Sequence, residues 1–336
     1  MKFLQKYNRC IYCKTSTIFK LNKQAFIDNF YLRAIRQDLN ISKKYLKKIK
    51  VFECQKCKII QNNPWFTENV SRRIYSNIYG QHNRSWSNLL NYFHKNKFPN
   101  HGQLFEILTK NINVKNYAEF NSPFMGLFMN FFSKEYNLNN KHQKDLLNNT
   151  LKYLSSRQLA GKNKNVLKNS IEKSKKLYQK ISVIKKKFRK NKKFNKYLYI
   201  DNSPLCWGQN DNYMSVNSKS LANELFEIEI KNLLNDKSKI KFDLFGIFHT
   251  LDHTFEPKKI FDFAINNSKY VVIYCHVDRR LEKQHLFSIT NEFVSFLEKN
   301  KIYTLDLTDK INKIYKNKEL YFLCSRNKEK IKNIKI

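Results

Sequence analysis

Four of the seven cysteines come as two C-x2-C pairs, Cys10 and Cys13 in CIYC and Cys54 and Cys57 in CQKC. One such knuckle sets two thiolates of a single tight turn at neighbouring corners of a tetrahedron. A second knuckle supplies the other two corners of a closed zinc site. With four protein thiolates around it, the metal holds the fold and keeps no open position for catalysis. The same residues could instead form a disulfide pair, which a reducing compartment disfavours, or remain free buried thiols. Cys206, Cys275 and Cys324 lie singly and read as buried apolar residues.

A second constellation follows the apolar run FDLFGIFHTLDH, residues 242–253, which leads straight into His249, Asp252 and His253. Asp201 closes the apolar YLYID, and His276 follows VVIYC. Ligands of open α/β sheets sit beyond the carboxyl ends of the strands, so polar residues at several strand ends point to one rim. Each of them taken alone reads as an ordinary core or rim residue. Histidine is the side chain whose ordinary pKa of about 6.5 suits a general base. Tyr75 and Tyr79 stand four apart in YSNIYGQHNRSWSNLLNYF, where Ser, Asn, Arg and His are dense. That stretch either presents hydroxyls to a ligand or packs its aromatics on the next domain.

The elements that must position these residues follow from periodicity. The interval between the knuckles has room for a helix, KQAFIDNFYLRAIRQDL, and Trp86, Leu89, Leu90 and Phe93 make an apolar stripe on another. Residues 140–196 are polar and helical in character, with Leu177, Ile181, Ile184 and Phe188 striping a very basic helix. Strand and helix signals then alternate. YLYID, KFDLFGIFHTL and KYVVIYCHV read as strands, LANELFEIEIKNLL, EPKKIFDFAINN and ITNEFVSFLEKN as helices, and IYTLDLT and LYFLCS as two last strands. Apolar runs separated by helices imply a doubly wound α/β fold, a parallel sheet covered on both faces with room for an antiparallel strand at its end. The expected organisation is a zinc-binding module over 1–70, a tyrosine-rich helical linker over 71–110, and an α/β domain over 111–336 with a basic insertion at about 140–196.

With 41% hydrophobic and 15% aromatic residues in 336, the chain can bury a sizeable core, which excludes a disordered protein. The net charge of +37 favours an anionic partner. Because the lysines run through nearly the whole chain beside abundant Asn and Ile and only 6 Gly, an A/T-rich coding sequence accounts for much of that charge, and nucleic acid is not the favoured partner. MKFLQKYNRCIYCK lacks the apolar core of a signal peptide, and FNSPFMGLFMNFF falls short of the ~20 residues of a membrane span, so the expected location is the cytoplasm.

The double knuckle, the tyrosine-rich stretch and an α/β domain containing FDLFGIFHTLDHTFEP together resemble the class I S-adenosylmethionine-dependent methyltransferases. More narrowly, they resemble the group with an N-terminal zinc-binding domain that includes sugar C-methyltransferases. Phe242, Asp243, His249, Leu251, His253, Glu256 and Pro257 fit that family's fourth-strand phrase, with Asp252 where Glu is usual. EKQHLFSITNEFVSFLEKNKIYTLDL resembles a later segment in which a histidine precedes a helix and a final strand pair. The resemblance covers most of the chain, with 140–196 as the main uncovered insertion. It implies a Rossmann-like sheet, S-adenosylmethionine as cofactor, structural zinc on Cys10, Cys13, Cys54 and Cys57, and a small anionic, sugar-derived acceptor.

It also implies residue roles. Glu119, Asn121, Gly126, Asp201 and His249 fall at the cofactor, Asp201 as the acid for the ribose hydroxyls. His285 is the general base with His253 as second candidate, and Tyr75 or Tyr79 hydrogen-bonds a developing enolate. Two departures stand out. Asn121 and Pro123 occupy places where the family has glycines, and Gln284 precedes His285 where an acid is usual. Two other functions are therefore carried forward, an inactive zinc-bearing scaffold of methyltransferase fold and an RNA-modifying methyltransferase.

Overall fold

The computed structural model describes residues 3–24, 43–67, 70, 100–121, 127, 130, 196–201, 241–248, 251–276, 286–311 and 319–335. In chain order the elements begin with β1 (Leu4–Gln5), β2 (Ile18–Gln24), α1 (Lys43–Leu46), β3 (Lys50–Cys54), β4 (Ile60–Asn63) and β5 (Trp65–Phe66). Then come β6 (Asn116–Asn121), β7 (Lys196–Asp201), β8 (Phe242–Phe248), α2 (Pro257–Asn267), β9 (Ser268–His276) and β10 (Phe287–Ser288). The chain ends with α3 (Asn291–Lys299), β11 (Tyr303–Asp306), α4 (Thr308–Ile311), β12 (Glu319–Ser325) and α5 (Lys328–Lys332). Two compact units result: Met1–Ile74 with Leu234–Ile336, and Tyr75–Leu233. No helix among the described residues is long and apolar enough to cross a membrane.

In the first unit β1 pairs with β5, and a sheet of order β10-β4-β3-β2, antiparallel throughout, carries the knuckles. Val51 and Ile60 are buried within it, with Leu21 packed against them. β10 comes from the far end of the sequence, so the N-terminal sheet is completed by a C-terminal strand. Tyr12, between the two cysteines of the first knuckle, packs edge-on against Phe293 of α3 at 4.9 Å between ring centroids. Of the helix proposed between the knuckles, Lys23 and Gln24 instead end β2, and its other residues lie outside the described ones.

The rest of this unit carries the strands expected from the apolar runs. β8 and β9 are parallel, β12 is antiparallel to β9, and β11 is antiparallel to β12, giving the order β11-β12-β9-β8. All seven residues of β8 are buried, as a strand covered on both faces requires. Each fully buried phenylalanine there contributes roughly 2 kcal/mol. α2 buries Pro257, Ile260, Phe261, Ala264 and Ile265, one helical stripe at i, i+3, i+4, i+7 and i+8. Pro257 opens the helix, where its missing N–H costs nothing. At the other end the Asn267 amide and the Ser268 hydroxyl donate to the carbonyls of Phe263 and Ala264, satisfying the last turn.

The second unit contains helical residues 100–111, which bury Leu104 and Leu108, followed by β6. β6 and β7 pair in parallel from Asn116 and Lys196 to Asn121 and Asp201.

Candidate functional site

The two knuckles are the same turn built twice. In each, the N–H of the first cysteine donates to the carbonyl five residues on, Cys10 to Thr15 at 2.7 Å and Cys54 to Ile59 at 3.0 Å. The residue after the second cysteine donates back, Lys14 to Cys10 at 3.0 Å and Lys58 to Cys54 at 2.8 Å. That residue is left-handed in both copies, with φ 59 at Lys14 and 61 at Lys58. These bonds point both sulfurs of each turn to one side. The result is four thiols whose sulfurs all lie within 4.8 Å of one another, with Cys10 to Cys57 and Cys13 to Cys54 at 3.5 Å.

This quartet fits zinc. Four sulfurs at about 2.3 Å from a tetrahedral centre stand about 3.8 Å apart, within the observed span. All four cysteines are free of disulfides. Hydrogen bonds inside the cluster split the thiols: Cys13, to about 7, and Cys54 are drawn below the ordinary 9.0, chiefly by Cys10. Cys10 and Cys57 are pushed up, chiefly by Cys13 and Cys10 respectively. A divalent cation at the centre is what lets all four ionise together.

At the carboxyl ends of β8 and β9 the chain folds a 3-10 turn, Leu251–His253, and His276 ends β9 opposite Glu319 of β12. Asp252 is fully buried; burial, then the Asp252 charge, push the Cys275 thiol well up. Its backbone carbonyl accepts the N–H of Leu286 at 3.1 Å, and the carbonyl of Leu286 accepts the N–H of Asn62 in β4 at 3.0 Å. Leu286 therefore joins the knuckle sheet to the turn carrying Asp252 and His253, immediately after His285 in sequence. Asp243 stands at the opposite end of β8 and takes a 2.7 Å ion pair from Lys269 of β9, a bond that ties the strand starts together.

In the second unit Asn121 and Asp201 face each other as the last register pair of two parallel strands, although 80 positions separate them. Glu119 is fully buried on β6. Its carboxylate accepts the Tyr117 hydroxyl and, at 2.7 Å, the N–H of Leu127. The buried acid of β6 thus holds the backbone of Leu127. Asn100 and His101, buried at the start of the helical residues, were not apparent as special in the sequence, where nothing but PNHG marks them.

Tyr75, Tyr79, Gly126, His249 and His285 lie outside the described residues. His253 is placed by its backbone in the 3-10 turn. Of the proposed residues, the structure brings together Cys10, Cys13, Cys54 and Cys57 as one set and Asn121 and Asp201 as another.

No family model matches the chain, and no curated protein matches it. Among solved structures, the methyltransferase domain of bacterial CtHen1-C aligns with 68% of this chain and 96% of its own, at 9% identity and a TM-score of 0.33. The methyltransferase domain of bacterial CtHen1-CN aligns with 67% and 96%, at 11% identity and a TM-score of 0.29. At such scores neither alignment carries weight for fold or activity here.

Proposed function

We propose that the chain transfers a methyl group from S-adenosylmethionine to an anionic acceptor, with a zinc tetrathiolate as a structural clamp. The observation that carries this reading is the placement of β12. The last strand is wedged antiparallel between β9 and β11, which run parallel to each other. That reversed final strand, paired with β11, agrees with the helix and final strand pair that the resemblance of EKQHLFSITNEFVSFLEKNKIYTLDL implies. The adjoining ends of β6 and β7, where Asn121 and Asp201 are register partners, support the cofactor assignment, with Asp201 for the ribose hydroxyls; the resemblance adds Gly126. The Glu119 carboxylate holds the N–H of Leu127, six residues beyond the end of β6. His249 follows β8 at the strand-end position the resemblance gives to the cofactor side.

When bound, the cofactor supplies a methyl group already activated on a sulfonium. The protein's part is to align the acceptor and remove its proton. For carbon beside a carbonyl, in a sugar-derived acceptor, His285 takes the proton, with His253 as the second candidate and Tyr75 or Tyr79 donating to the developing enolate. A second reading, RNA as acceptor, is favoured by one observation: the described residues of the knuckle module carry far more cations than acids.

Calorimetric titration and thermal shift with S-adenosylhomocysteine test the proposal. Binding is expected, and His285→Ala should abolish turnover while leaving that affinity intact. Neither heat nor stabilisation would leave a zinc-bearing scaffold.

A further inference from the structure

The chain's cations are not spread evenly over its first unit. Among described residues, the knuckle module (3–24 and 43–67) holds twelve Lys and Arg against the single acid Glu53. The described residues from 241 to 335 hold twelve against ten. Over the whole stretch 1–70 the balance is fifteen to four. Coding bias acts on both parts alike, so it does not explain the contrast. Glu53 itself is engaged by Lys58 at 3.7 Å. A zinc tetrathiolate, itself anionic, offsets only part of the excess. Like charges held this close repel, and a polyanion relieves them.

The same module carries the two exposed large apolar side chains found among the described residues, Phe19 at 56% and Tyr45 at 39%. Phe19 lies on β2, the terminal strand of its sheet, with Lys20 beside it in the chain and Glu53 opposite in register. Tyr45 already has a partner on each side, Phe3 edge-on and the Lys48 ammonium over its ring. Among the described residues Phe19 has no ring partner, and an aromatic left in water amid lysines has the makings of a stacking platform for a base.

We propose that the knuckle module is a docking surface for single-stranded RNA, with Phe19 stacking an unpaired base and exposed cations such as Lys14, Lys20 and Lys56 meeting the phosphates. Phosphate alone would be served by the lysines; an exposed ring adds affinity only where bases are unpaired, which is the routine state of RNA loops and ends. The inference rests on the charge and the exposed ring of the knuckle module and does not depend on the methyl-transfer reading.

The test uses the full zinc-loaded chain and a fluorescein-labelled oligouridylate, followed by anisotropy across a salt series. Tight binding is expected, weakening steeply with salt. Phe19→Ala should bind about tenfold more weakly with the same salt slope, Phe19→Tyr should restore affinity, and Lys20→Gln should lower the slope by about 0.7. Phe19 is mostly exposed, so zinc content serves as the check on folding; Lys20→Gln provides a second, independent readout. Several outcomes would overturn the proposal: wild-type affinity in Phe19→Ala, duplex RNA or heparin bound as tightly as the single strand, equal affinity for the deoxy strand, or binding to anionic vesicles without binding to RNA. Loss of S-adenosylhomocysteine binding with RNA binding intact would count against methyl transfer alone.

Discussion

The hydroxyl of Thr290 donates to the backbone carbonyl of Lys58 at 2.9 Å, joining residues 232 apart in sequence. Lys58 closes the second knuckle and Thr290 is the N-cap of α3, yet its hydroxyl is spent on the knuckle rather than on the helix. Four residues earlier, Leu286 bonds the knuckle sheet through Asn62 and the 3-10 turn through Asp252. The short segment 286–290 is thus held on one side by the metal module and on the other by the strand-end turn, directly beyond His285.

Zinc should therefore control more than the knuckles. Purified chain is expected to hold one zinc per molecule, and Cys54→Ser to lose it. In the metal-free chain, hydrogen exchange at Leu286 and Asn62 should accelerate together, while the β9 and β12 amides keep their protection. Unchanged exchange at Leu286 would break the link between metal and strand end. Thr290→Val, which removes one part-buried bond at nearly constant volume, should cost about 1 kcal/mol in urea denaturation and leave the zinc in place.

The two ends of the strands should separate by function. Asp201 stands at a carboxyl end beside Asn121, and Asp243 at the amino end of β8 beside Lys269. Asp201→Ala is expected to lower S-adenosylhomocysteine affinity at least tenfold by calorimetry, with the unfolding midpoint nearly unchanged. Asp243→Ala should do the opposite, losing about 1 kcal/mol of stability, since Lys269 is more than half exposed and solvent screens the pair. Equal effects of the two substitutions on affinity would remove the cofactor assignment at Asp201.

The legible parts of the sequence were those where one physical signal dominates. FDLFGIF and VVIYC are apolar on both faces and can only be buried strands, and PKKIFDFAIN shows an unbroken helical stripe; all three form as expected. The cysteine spacing likewise predicted the quartet. The knuckle sheet was not legible, because β2, IFKLNKQ, is mostly polar in its second half, β3 and β4 run only five and four residues, and β10 has two residues whose partners lie some 226 positions away. Left-handed turns were hidden too. Among the described residues all three positive-φ positions other than glycine are lysines, so the residue that usually announces such a turn is missing.

That substitution gives a stability prediction. Lys301 ends α3 with φ 59, its N–H donating to Glu298 at 2.9 Å while Ile302 donates to Leu297 at 3.0 Å. This is the helix-ending geometry that glycine adopts without strain. Lys301→Gly should gain about 0.5–1 kcal/mol, the relief of a left-handed side chain less the extra freedom of glycine in the unfolded chain. A lowered urea midpoint would mean that Lys301 is held by something other than this turn.

Alkaline pH should loosen the first unit through its interior thiols. Cys275 on β9 and Cys324 on β12 are fully buried, and burial pushes both well above the ordinary 9.0, helped by the charge of Asp252 at the first and of Glu298 at the second. The folded chain keeps these thiols neutral, while the unfolded chain releases their protons once the pH passes about 9. Above that point the unfolded state binds fewer protons, so stability falls as pH rises; below it the contribution is fully present. Each thiol adds at most about 1.4 kcal/mol per pH unit to the fall. Urea midpoints taken from neutral pH to about 10.5 should drop in the upper part of that range, and Cys324→Val should drop less steeply than the parent. If Cys275→Val and Cys324→Val both follow the parent curve, the thiols ionise within the folded chain, and the packing of β9 against β12 is looser than described.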